Sequence, residues 1–155
     1  MSTLQLVAAK ITAGATDAMV RSVKATPADK IEWKPLDEGR SILSQVQECA
    51  VVATFFAAIL RNRALPQMPE GAFESSMKAL DTLDKALAAL DANTADLLEA
   101  IRAFPDAHLA DTITMPWGGE PLAFEEVLFL NYWNLVYHTG QTGYIQTLYG
   151  DRQMH

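Results

Sequence analysis

Apolar residues return at threes and fours along most of this chain, the spacing that puts side chains on one face of an α-helix. From about Thr3 to Lys24 the stripe runs Leu4, Val7, Ile11, Ala15 and Ala18 with Ala-rich filling, which predicts a first helix. Pro27 ends that pattern, and Pro35 turns the preceding Ile31-Glu32-Trp33-Lys34 toward an extended or turn conformation, with Trp33 expected across the end of a bundle. A second helix is expected from the N-cap Ser41 to about Asn62. Pro66, Pro69 and Gly71 mark a loop, and the periodicity from about Phe73 to Phe104 reads as one long amphipathic helix with a place for a bend at Asn93-Thr94. Pro105 closes it. Asp111 to Glu120 reads as a short extended segment and a tight turn at Pro116-Trp117-Gly118-Gly119. A last helix is expected over roughly Ala123 to Tyr149, capped by Gly150.

Four long helices with one irregular excursion describe an all-α bundle, and 155 residues suffice for a single domain with its own core, 1–155. Two of the stripes contain polar residues where apolar ones are normal. On the second helix Glu48 lies in line with Val52, Phe55 and Ile59. On the last, Asn134, His138, Gln141, Ile145 and Leu148 share one face, so Asn134, His138 and Gln141 are expected to point at other helices and to need partners there.

Composition narrows the function classes. Half the residues are hydrophobic and a fifth are charged, the balance of a folded globular protein. A formal net charge of -7 without any Lys/Arg cluster opposes nucleic-acid binding. The strongest apolar run, Cys49 to Leu60 with Thr54 inside it, falls short of the ~20 residues of a membrane span and reads as a buried helix. Cys49 is the one cysteine, so neither an intrachain disulfide nor a Cys-rich zinc site is available, and a reducing cytoplasm is the expected compartment. In an apolar helix Cys49 reads as inert packing.

The order Trp33-Lys34-Pro35, the helix start Ser41-Ile42-Leu43, the turn Met115-Pro116-Trp117-Gly118-Gly119, and the ending Tyr137-His138-Thr139-Gly140-Gln141 with Leu148-Tyr149-Gly150 together resemble the DinB-like superfamily over almost the whole chain. The resemblance implies a DinB/YfiT-like four-helix bundle with up-down-down-up connectivity, often homodimeric. It also implies a divalent metal, nickel or zinc, held by one His of helix two and a His-x-x-x-His pair of the last helix, and in some members a thiol-dependent transferase activity. Carried onto this chain, the second His of the pair is His138, the first falls on Asn134, and the helix-two ligand falls on Glu48.

Two readings of that constellation stand side by side. Glu48, Asn134 and His138 can hold Zn, Ni or Mn in an open site, with Gln141 behind them. Equally, the four side chains can satisfy one another as a metal-free polar cluster inside the bundle. Among the aromatics Trp117, Tyr132, Trp133, Tyr137 and Tyr144, core or dimer-interface roles are expected ahead of cleft lining, with Trp117 and Tyr137 as the cleft candidates. The functional expectation is a metal-dependent enzyme, a transferase or hydrolase. Its alternatives are a non-catalytic small-ligand-binding or stress-response bundle, and a purely structural dimer module.

Overall fold

The computed structural model describes residues 3–36 and 38–155. Its elements in chain order are α1 (Thr3–Lys24), α2 (Ile42–Asn62), α3 (Ala72–Ala79), α4 (Leu83–Ala103), β1 (Thr112–Ile113), β2 (Leu122–Ala123), α5 (Phe124–Val127) and α6 (Leu130–Leu148). The four long helices α1, α2, α4 and α6 form the bundle. Gln5 near the start of α1 bonds the carbonyl of Phe104 just past α4, so α1 and α4 are antiparallel. Ser22 and Gln146 meet near the ends of α1 and α6, which therefore run together. Gln47 of α2 reaches Leu80 ahead of α4, and Arg61 at the far end of α2 reaches Asp96, so these two also run together. The connectivity is up-down-down-up, as the resemblance implies.

Local chemistry sets the ends. Ser41 caps α2 by accepting the Ser44 amide at 3.1 Å, which fixes where the helix begins and hence which way Glu48 points. Gly150 follows α6 at φ +101, a conformation open to glycine, and the Asp151 amide closes back on the Gln146 carbonyl at 3.0 Å. Trp33 packs edge-on against Tyr149 with ring centroids 6.1 Å apart, across the end of the bundle where it is expected.

Several expectations are corrected. The long helix from Phe73 to Phe104 is two: α3 stops at Ala79, and Thr82, extended and accepting the Lys85 amide, starts α4 afresh. α4 then runs through Asn93-Thr94 without interruption, Asn93 donating to the Ala50 carbonyl of α2. The last helix is also divided, into the short α5 and α6, with Phe129 between them. The buried face of α1 is Gln5, Ala8, Ala9, Thr12, Ala15, Thr16, Met19, Ser22 and Val23, so of the expected stripe Ala15 alone is buried and Val7 is 45 % exposed. Small residues let α1 lie close to α4 and α6, and close packing outweighs the larger side chains at Leu6 and Val7. On α6 the buried face is Asn131, Leu135, His138, Thr142, Ile145 and Gln146, and Leu148 is 48 % exposed.

Among the described residues, α2 is the one helix long and apolar enough to cross a membrane by length and composition, and most of it is buried inside the bundle. The excursion after α4 forms a two-stranded antiparallel ribbon, Thr112 opposite Ala123 and Ile113 opposite Leu122. The turn at its tip holds Trp117 beside the α2/α6 seam.

Candidate functional site

α2 and α6 run antiparallel, and this brings Glu48 and His138 face to face. His138 is 2 % exposed, and its Nε2 lies 2.9 Å from Glu48 Oε1. The other ring nitrogen, Nδ1, faces Gln45 Oε1 of α2 and, at 2.8 Å, Gln141 Oε1 one turn along α6. Both nitrogens thus face oxygen acceptors, an arrangement that suits the doubly protonated imidazolium; turning either glutamine amide would serve the neutral ring. The second Glu48 oxygen is held by the Arg40 guanidinium at 2.7 Å, and Arg40 also donates to the Ser44 carbonyl at 3.1 Å.

The hydrogen bond from His138 is the largest influence on Glu48 and holds its carboxyl down to about 2. Burial opposes it, and the charges of His138 and Arg40 reinforce it. Glu48 is therefore an anion throughout the physiological range. Cys49, next in sequence, points into the core. Burial pushes its thiol well above the ordinary range and the neighbouring Glu48 charge adds to this, so it is packing and not a nucleophile.

Glu48, Asn134 and His138 lie on the wall of one cavity of about 590 Å³. The rest of its lining is apolar or aromatic, including Val52 and Phe55 of α2, Phe73 of α3, Trp133 and Tyr137 of α6, and Trp117 from the ribbon turn. Glu48 stands in line with Val52 and Phe55 because all three face this space. Trp133 is 72 % exposed and Tyr137 and Trp117 are also largely open, so the mouth is aromatic. Asn134 Oδ1 is shielded from solvent yet has no hydrogen-bond partner. A second cavity, of about 480 Å³, lies on the other side of the cluster, where Arg40, Gln45, Gln141 and Tyr144 meet Tyr137.

Sequence reasoning placed Glu48, Asn134, His138, Gln141, Trp117 and Tyr137 as candidates, and all six are on or beside this cavity. Trp133 joins the lining, whereas Tyr132 packs against the apolar core. Gln45 and Arg40 were missed. Gln45 stands three residues before Glu48, a spacing that shares its face, so its signal was present. Arg40 precedes the N-cap, outside any helical periodicity, and left none. His108 and His155 bond to Asp111 and Asp151, remote from the cluster in sequence and in their partners.

The donor set is a poor fit to a divalent metal. Among the described residues Glu48 is the one anion in the lining of the cavity, and one of its oxygens already carries the Arg40 cation. Both nitrogens of His138 are occupied, and beyond the remaining lone pairs of Glu48 the lining adds only the Asn134 amide, whose oxygen is a weak ligand shielded from the open space. Among the described residues no three His, Cys, Asp or Glu side chains group around a common point.

A model of the DinB superfamily matches residues 12–142, and the chain belongs to that superfamily. No curated protein matches it in sequence. Among solved structures, YfiT from Bacillus subtilis, described as a probable metal-dependent hydrolase with an unusual four-helix bundle topology, superimposes with a TM-score of 0.78 at 16% identity, over 97% of this chain and 90% of that one. A conserved protein from Enterococcus faecalis gives 0.75 at 16% identity, over 97% and 99%. The mycothiol-dependent maleylpyruvate isomerase gives 0.69 at 15% identity, and this chain, 92% of it matched, covers 64% of that protein's length. At these identities the likeness is one of fold.

Proposed function

We propose that this DinB-superfamily chain binds a small organic molecule in the cavity between α2 and α6, and that the polar cluster at its wall positions the ligand without a resident metal. The observation that carries the reading is the closed set of bonds around His138. With Glu48 on one nitrogen and glutamines on the other, the ring is neither a free ligand for a metal nor a free base. A cavity of about 590 Å³ is of ordinary size for a small-molecule site, and its apolar lining with a few convergent polar groups is the usual composition of one. Arg40 and the cluster hold Glu48 in place, and the aromatic mouth excludes water from the bound molecule.

The metal-dependent reading, a hydrolase like the description of YfiT or a thiol-dependent transferase like the maleylpyruvate isomerase, rests on fold likeness and on His138. It requires Glu48 to leave Arg40 and His138 to release at least one of its partners. The neutral dye Nile red separates the two. Expected is a fluorescence rise with wild type that survives EDTA, is unchanged by Zn, Ni or Mn, and is clearly weakened in Val52→Trp, which puts an indole into the cavity. Calorimetry with the same ions should give no stoichiometric binding in wild type. Tight, stoichiometric metal binding by wild type, lost in His138→Ala, would overturn the proposal in favour of the metal-dependent one.

A further inference from the structure

The second cavity, of about 480 Å³, has a wall rich in hydrogen-bond donors. Gln45 and Gln141 both turn their side-chain oxygens to His138 Nδ1. That leaves their NH2 groups without a hydrogen bond among the described residues and open to the space both side chains line, although Gln45 as a whole is 1 % exposed. Arg40 joins them. One of its terminal nitrogens holds Glu48 and the other the Ser44 carbonyl, which frees more than half of its N–H groups for a further acceptor. Arg40 and Gln45 also stand at the N-terminal, positive end of α2. Among the described residues no Asp or Glu lines this cavity, and the charge of Glu48 reaches it through the guanidinium that Glu48 binds. The shape comes from α6. Tyr137, Gly140 and Tyr144 share one face, and Gly140 leaves a slot between two largely exposed phenol rings, where an added Cβ would meet nothing within 4 Å.

Independently of the reading of the main cavity, we propose that this second cavity binds the carboxylate of a small organic acid. The carboxylate accepts from Arg40 on one side and from the NH2 groups of Gln45 and Gln141 on the other, and its apolar body lies in the slot between Tyr137 and Tyr144. Hydrogen bonds that an ionised acceptor draws from a guanidinium and from amides are the strong ones. An ammonium in the same place meets donors and a cation and gains no bond from them. A dianion such as a phosphate monoester is disfavoured as well, because Arg40 shares its charge with Glu48 and the chain carries a formal net charge of -7. Selectivity for a single negative charge follows from neutral donors gathered around one half-compensated cation.

The test titrates four probes with one ring into the full chain at pH 7: benzoate, benzamide, benzylamine and phenyl phosphate. Two-dimensional 15N–1H spectra report on the site itself, because they contain the side-chain NH2 signals of Gln45 and Gln141. Expected is that benzoate moves both pairs of signals, with a Kd at least about tenfold below those of benzamide and benzylamine, the scale of one hydrogen bond to a charged group, and also below that of phenyl phosphate. Gln141→Glu keeps the shape, puts a negative charge on the wall, and should weaken benzoate at least about tenfold. Gly140→Leu fills the slot with a better helix former and should weaken it by a similar factor. Should Gln141→Glu fail to fold, Gly140→Leu still decides. Benzoate binding no better than benzamide, or undiminished in either folded variant, would overturn the proposal. So would shifts that leave out both glutamine NH2 groups, or the absence of binding by benzoate. Tighter binding of phenyl phosphate would overturn the carboxylate in favour of a phosphate site. None of these outcomes bears on Nile red in the main cavity, so the two readings stand or fall separately.

Discussion

Glu48 Oε1 and His138 Nε2 are 2.9 Å apart although ninety positions of chain separate the residues. This contact and the one from Gln45 tie the second helix to the last at the cavity wall. His138→Ala removes the shared partner of Glu48, Gln45 and Gln141 and leaves space in a buried site. A loss of about 2–4 kcal/mol is expected, read as a lower urea midpoint at unchanged m-value. Glu48→Gln keeps an acceptor for His138 and should cost less.

The acid limb of the stability profile should carry the same signature. Glu48 has its carboxyl at about 2 in the folded chain against an ordinary 4.5. The unfolded state binds the proton more readily, so the stabilisation is fully present above pH ~4.5 and is lost as pH falls from there toward 2. Urea midpoints at pH 7 and pH 2.5 should therefore show wild type losing more than Glu48→Gln over that interval. Equal losses would mean that the pair contributes nothing to acid sensitivity.

Cys49 should be silent toward thiol reagents in the native state. It is fully buried and its thiolate is strongly disfavoured. With 5,5'-dithiobis(2-nitrobenzoic acid), release of about one thiol per chain is expected only after denaturation, and a native rate near that of a free thiol would contradict the packing role.

The close approach of α2 and α4 predicts a further sensitivity. Ala53 is fully buried on α2 among Phe56, Leu97 and Ile101 of the same core cluster. Ala53→Leu should destabilise by about 1–3 kcal/mol through overpacking, seen as a lower thermal midpoint. A neutral or stabilising outcome would show that the helices can move apart cheaply.

By itself, the sequence determined where most of the chain is helical, because Ser41, Pro105 and Gly150 act locally, and it singled out Glu48 and His138, because a carboxylate or an imidazole in an apolar stripe has few places to go. The breaks at Leu80-Asp81-Thr82 and at Phe129 were not legible. Apolar periodicity continues across both, and where the chain turns is decided by how the segments pack. The buried face of α1 was likewise decided in three dimensions: in a helix rich in Ala and Thr the hydrophobic contrast is slight, and proximity to two neighbours favours the smallest side chains over Leu6 and Val7. The chemistry of the site followed the same rule. Its acid and its imidazole could be named from spacing on single helices, but their partners could not: Gln45 reaches His138 only because α2 and α6 lie side by side, and Arg40 reaches Glu48 because its side chain lies along the first turns of α2.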